Sequence, residues 1–180
     1  MMKKVIGTML LASVICAGTF LAAQPDEFTF RNGVTWGMSK DEVIGTEDAS
    51  PSYDGDVDLP DGRILTVLVF EDVTVDGFGA SAEYMFTDDT LVCCGYEFEE
   101  GADRDILLNS LETKYGESGP VNWEYADSMI LSLGGHAEDV KEAEFSCEWN
   151  VSDDLYVMMY DVEKGIATAY FNPSAILDKE

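Results

Sequence analysis

Along most of this chain apolar and polar residues alternate with a period of two, and two stretches switch to helical spacing. Ile64 to Glu71 is nearly all apolar and reads as a strand. Ala80, Ala82, Tyr84 and Phe86 alternate with Ser81, Glu83, Met85 and Thr87, and Val92, Cys94, Tyr96 and Phe98 form another alternating face. Asp76-Gly77 and Asp88-Asp89 predict the turns between these runs. Upstream, Ser39 and Glu42 form a capping box: the serine hydroxyl can accept from the Glu42 amide while the Glu42 carboxylate accepts from the Ser39 amide. A short helix therefore opens there, with Gly45 at its expected C-cap. Residues 47–62 read as an acidic, turn-rich connection. In the second half Asp103 or a neighbour starts a helix to about Tyr115, with Ile106, Leu107, Leu111 and Tyr115 at helical spacing and Gly116 as the stop. Gly119-Pro120 breaks the chain, and no definite element is read before Phe145. Phe145, Cys147 and Trp149 then line one face of a strand, and Leu155–Tyr160 and Ile166–Phe171 follow, joined near Ser152-Asp153-Asp154 and Lys164-Gly165.

These elements predict an α+β fold: a short helix plus a three-stranded antiparallel meander, repeated twice in one compact domain, over about 36–98 and 103–172. Identity between the halves is too low to establish duplication.

The N-terminus departs from this pattern. Lys3 and Lys4 precede a mostly apolar run from Val5 to Ala17, and Ala22-Ala23 offers small residues for cleavage, so residues 1–23 read as a signal peptide and 24–180 as the single mature domain. The apolar run is too short and interrupted for a membrane span, and none is expected once the signal is removed. A lipidated Cys16 is the weaker reading, because Ile15 and Ser13 stand where a lipoprotein signal wants a small residue and a leucine. The expected location is secreted or cell envelope, periplasmic or extracellular.

Charge narrows the partners. The chain carries 10 Lys and Arg against 36 Asp and Glu, a net −26, and loses Lys3 and Lys4 with the signal. Such a surface repels phosphate backbones and anionic headgroups, which excludes nucleic acid, and it suits a basic protein, a basic envelope component or divalent ions.

The segment Phe30-Arg31-Asn32-Gly33-Val34-Thr35-Trp36-Gly37-Met38-Ser39, followed by Glu42-Val43, resembles the opening of a group of exported, uncharacterised bacterial proteins that begin with an aromatic, a short link and W-G-x-S-x-x-E-V. The likeness continues through Val73–Phe78, Tyr84–Leu91 and Gly95–Phe98, and thins in the second half. The order of helix then meander is similar to the fold of SmpA/OmlA-type outer-membrane assembly lipoproteins and of β-lactamase inhibitory proteins. That similarity implies a binding or assembly role, with no catalytic residues to carry over. Lacking a good lipidation signal, this chain departs from the lipoproteins.

Candidate chemistry is sparse. Asp54, Asp56, Asp58 and Asp61-Gly62 are the best metal-like cluster, since alternate acids in a loop can converge on Ca²⁺. Leu59 stands where a calcium-loop glycine belongs and Leu65 where the closing glutamate belongs, which favours a solvated acidic loop. Trp36 is expected to pack over the helix start, with Val43 facing the core. His136, the single histidine, lies in a Gly134-Gly135-His136 loop; no G-x-S-x-G and no zinc spacing is present, so no catalytic residue and no cofactor is assigned. Cys94 shares parity with Tyr96 and Phe98, and Cys147 with Phe145 and Trp149, so both are expected in the core, either as a disulfide or as buried thiols. Cys93, next to Cys94, should point to the opposite face. The functional expectation is an exported, non-catalytic binding or cell-envelope interaction protein that uses an exposed face of a meander. The alternatives are a hydrolase using acidic residues, which a deep pocket with a coupled carboxylate pair would favour, and an acidic divalent-cation-binding protein.

Overall fold

The computed structural model describes residues 28–163 and 165–177. Residues 1–23, read as a signal peptide, and the expected cleavage site lie outside the described residues. A 3₁₀ turn at Arg31–Gly33 leads into α1 (Lys40–Thr46). Four strands follow: β1 (Tyr53–Asp58), β2 (Ile64–Val75), β3 (Phe78–Thr87) and β4 (Thr90–Phe98). Then come α2 (Arg104–Tyr115), α3 (Trp123–Ser132) and the short α4 (Glu138–Lys141). The strands β5 (Ser146–Ser152), β6 (Leu155–Val162) and β7 (Gly165–Phe171) precede α5 (Pro173–Leu177). All seven strands join one antiparallel sheet in the order β1-β2-β3-β4-β7-β6-β5. The fold is mixed α+β and mostly sheet.

Turn chemistry explains the hairpins. Asp76 and Gly77 (φ 51° and 86°) link β2 to β3, and Asp88 and Asp89 (φ 53° and 58°) link β3 to β4. Two successive positive φ values are what a tight hairpin of right-twisted strands requires, and Asp and Gly tolerate them best. A bulge between Phe70 and Val73, with Asp72 at φ 55°, bends β2 in its middle.

Both faces of the sheet carry a core. On the first, Leu68, Phe70, Tyr84, Cys94, Tyr96, Trp149 and Val157 pack under α1, α2 and the 3₁₀ turn. On the second, Val67, Cys93, Tyr156, Met158 and Phe171 pack under α3, Leu133 and α5. Cys93 and Cys94 point to opposite faces, as alternation requires, yet both are buried because both faces are covered at that point.

Several sequence expectations need correction. Residues 53–58, read as part of a loop, form the edge strand β1, registered against β2 from Tyr53↔Val69 to Asp58↔Ile64. Apart from the half-buried Gly55 they are exposed, so neither face carried a hydrophobic signal. The first half thus has four strands, not three, and the second places α3 and α4 between its first helix and its strands. Gly45 does not end α1, which runs through it to Thr46 and closes on the Glu47 amide. Ile106 is 56 % exposed; α2 packs through Leu107 and Leu111 instead. Cys94 and Cys147 are free thiols. They sit on β4 and β5 with β7 and β6 between, three strand spacings or about 14 Å, beyond the reach of a disulfide. Among the described residues no helix is long and apolar enough to cross a membrane.

Candidate functional site

The residues singled out by sequence occupy separate places. Trp36 is half-buried, with its ring edge-on to Phe30 at 4.7 Å between centroids, and closes the first core beside the helix start. The capping box is present: Glu42 N donates to Ser39 Oγ (3.4 Å), and Ser39 N donates to Glu42 Oε2 (2.9 Å). That amide bond holds the Glu42 carboxyl below its ordinary range. The adjacent Lys40 amide donates to Asp89 Oδ1 (3.1 Å), fastening α1 to the β3–β4 turn.

The acidic candidates do not converge. Asp54, Asp56 and Asp58 share one side of β1, where alternate residues stand about 6.8 Å apart. Asp54 accepts from Lys40 Nζ (2.8 Å) and Asp56 from Thr66 Oγ1 (2.7 Å). Asp61, in the turn beyond β1, accepts from the Arg63 amide (3.0 Å) and Nε (2.6 Å), the amide bond being the larger cause of its lowered pKa. A row of carboxylates, each with a local donor or facing solvent, is not a cation cage. Among the described residues no group of three or more His, Cys, Asp or Glu side chains is placed to hold a metal.

A different constellation comes together on the second face. There α3, its following loop and α5 cover only part of the sheet. Where that cover ends, register places two rows side by side, the first running into the core at Ala169 and Met158. One runs Val69, Glu83, Gly95, Ala169, Met158; the next runs Ser81, Glu97, Ala167, Tyr160. Small residues form the floor, and Glu83 and Glu97 rise from it as diagonal neighbours on β3 and β4, about 7–8 Å apart at their backbones. Tyr160 stands across the floor on β6. The loop carrying the exposed His136, together with Val140, walls one end. Two shallow hollows of about 230 and 300 Å³ adjoin here, both lined by Glu83, Gly95 and Tyr160.

The electrostatics are unusual for an outward strand position. Burial against Met85, Cys93 and Tyr160 raises the Glu83 pKa above its ordinary value, and the negative charge of Glu97 raises it further. No Lys or Arg among the described residues pairs with either carboxylate. Burying an ionised carboxylate without a partner is costly. A cation set on this floor would offset the Glu97 repulsion and give the desolvated Glu83 a charge partner. Gly95 permits the approach: a Cβ there would meet only Thr168 O at 3.8 Å, an ordinary contact, so the backbone does not demand glycine. What the missing side chain leaves is space between Glu83 and Ala169.

Sequence reading passed over Glu83, since a polar residue alternating with Ala82 and Tyr84 looks like an ordinary solvated position. The usable signal was lateral. Ser81, Gly95, Ala167 and Ala169 give neighbouring strands small residues at the same height, which marks a sheet face left without a full cover. No family model, curated protein or solved structure matches this chain.

Proposed function

We propose that this protein is an exported, non-catalytic binding module of the cell envelope that docks a basic segment of a partner protein on the open half of its second sheet face. The observation that carries the reading is the unpaired Glu83–Glu97 couple on a floor of Gly, Ser and Ala. A lysine or arginine laid on this floor would neutralise the two carboxylates and could stack on the ring of Tyr160, and the chain's overall negative field would steer it there. The opening motif shared with exported bacterial proteins and the signal-like N-terminus support the location. The similarity to SmpA/OmlA-type and β-lactamase inhibitory folds, with two related helix-and-meander halves, belongs to the same proposal.

The coupled carboxylates also favour a second reading, acid–base hydrolysis with Glu83 as the acid. Glycoside hydrolysis needs its two carboxylates on opposite sides of the scissile bond, in a cleft. These two stand side by side on one open face, which argues for docking.

The test is affinity capture of native surface proteins by the mature chain, compared with Glu83→Gln/Glu97→Gln and with Gly95→Val. A partner held by the parent chain and lost with both variants supports docking on this floor, and added salt should then mainly slow association. Capture indifferent to both variants would overturn it. Turnover of glycoside substrates that Glu83→Gln abolishes would promote the hydrolase. N-terminal sequencing of the exported chain tests the location, with a start near Gln24 expected.

A further inference from the structure

Six Lys and Arg side chains lie among the described residues, and five of them face a carboxylate within 4.0 Å. The exception is Lys114, in the last turn of α2. Its ammonium sits over the rings of Phe28 (4.8 Å) and Tyr115 (5.2 Å), within cation–π distance of both. In a chain with 36 acids, an exposed lysine that sits over two rings and makes no ion pair among the described residues is notable.

Lys114 lines a groove of about 990 Å³ between the entering chain, the end of α2 and the β5–β6 turn. Phe28, Trp36, Val151 and Leu155 supply apolar wall, and Thr35, Thr90, Ser152, Asn172 and the carboxylate of Asp154, which accepts from Ser174 Oγ, supply polar rim at the β5–β6 turn. Two further groups lie just behind that wall: Trp36 Nε1 and Tyr115 Oη are buried and make no hydrogen bond among the described residues. The indole N–H can only donate, so it calls for an acceptor. Thus an unpaired cation, an unmatched donor and an unmatched hydroxyl gather around one ring-lined groove. We propose that this groove binds a small amphipathic organic anion, its carboxylate set on Lys114 and its apolar body against Phe28, Trp36 and Leu155.

The chemistry discriminates among occupants. A cation would meet Lys114, and a neutral apolar molecule would leave it unpaired. An anion of any kind must overcome the chain's long-range repulsion, so anion preference here can arise only from a local arrangement. Burial lowers the Lys114 pKa, against the field of Asp76, and a bound carboxylate would reverse that shift.

The experiment is calorimetric titration of the mature chain at low salt with 2-naphthoate and with 2-naphthylmethanol, a neutral probe with the same rings. Naphthoate should bind about ten-fold tighter or better, and Trp36 emission should change on binding. Lys114→Gln should abolish the preference without weakening the alcohol, and Lys114→Arg should keep it. Val151→Glu, a change at an exposed position that leaves folding intact, should weaken naphthoate selectively. No preference in the parent chain, a preference that survives Lys114→Gln, or equal weakening of both probes by Val151→Glu would overturn the assignment.

Discussion

Glu47 offers the sharpest test of how the fold is held. It follows α1 directly and its side chain is fully buried. One carboxylate oxygen accepts from the Arg31 guanidinium and from Asn32 Nδ2 (3.1 Å), and the other accepts from Tyr84 Oη (2.5 Å) in the middle of the sheet. Arg31 in turn donates its amide to Tyr96 Oη (3.2 Å). One carboxylate therefore ties the entering chain and α1 to β3. Glu47→Ala leaves Arg31, 10 % exposed, with only the solvent-facing Asp48 at 3.0 Å, and strips the Tyr84 hydroxyl of its acceptor. Breaking a buried ion pair costs about 3–5 kcal/mol. An orphaned hydroxyl adds about 1–3 kcal/mol, although the two do not sum because they share one group. The exposed Asp48 contact returns under about 1 kcal/mol.

The expected loss is about 3–5 kcal/mol. In equilibrium urea denaturation, with a slope of about 2 kcal/mol per molar, the midpoint should fall by roughly 2 M. Arg31→Met should be harmful in a different way, because it buries a carboxylate without a cation. Glu47 then prefers its protonated form, the native state binds more protons than the unfolded one, and this variant should regain stability as pH falls toward the ordinary carboxylate range. Arg31→Met with Glu47→Leu should recover much of the loss, since an apolar pair replaces a buried ion pair at little cost. A midpoint shift below about 0.5 M for Glu47→Ala, at unchanged slope, would refute the latch.

Three other outcomes follow from the geometry. Ser39→Ala removes the acceptor of the Glu42 amide and should cost about 1 kcal/mol by the same denaturation, with unchanged slope. Glu83→Gln should raise the melting temperature at pH 7: the folded pKa is raised, so ionised Glu83 opposes folding above that value, and the gain should fade as pH drops through the raised pKa toward the ordinary range. Burial pushes the Cys147 thiol up to about 11, so iodoacetamide should label it slowly at pH 8 and faster as pH climbs, whereas denaturant without reductant should expose Cys93, Cys94 and Cys147 to labelling, read by peptide mass.

Much of the sheet was legible because its signals were local. Strands with one apolar face, such as β3, declare themselves by alternation, and the positive-φ turns at Asp76-Gly77 and Asp88-Asp89 carry the residues that tolerate them. The capping box was legible for the same reason: both of its hydrogen bonds join residues three apart. What escaped depends on distant partners. The exposed β1 is a strand only because β2 pairs with it. α3 begins with the Asn122 cap, whose amide is held by Glu148 Oε2 (2.7 Å) far along the chain, and its buried Ala126 and Met129 stand among other apolar residues, which blurs the stripe. Without α3, the second face could not be recognised as a core, and Cys93 looked like a solvent-facing thiol.

The candidate site escaped for a related reason, and that reason explains its chemistry. Alternation within one strand separates two faces but does not say whether a face is covered. Coverage is decided across strands. On the first face the residues at matching heights are Phe70, Ala82, Tyr96 and Thr168, large rings interleaved with smaller groups and sealed by helices. On the second, the rows through Glu83 and Glu97 cross Gly95, Ala169 and Ala167, which cannot build a core of their own. Glu97 is exposed, whereas Glu83 is half-buried. Here the surrounding Met85, Cys93 and Tyr160 desolvate Glu83 while Glu97 crowds it, so the folded chain carries a local electrostatic penalty that a bound cation would relieve. The groove at Lys114 presents a cation and borders the first core, on the other side of the sheet. If both proposals hold, the sheet keeps a basic segment and an organic anion on separate faces, where their charges cannot neutralise each other, and Glu83→Gln and Lys114→Gln should act independently in a combined variant.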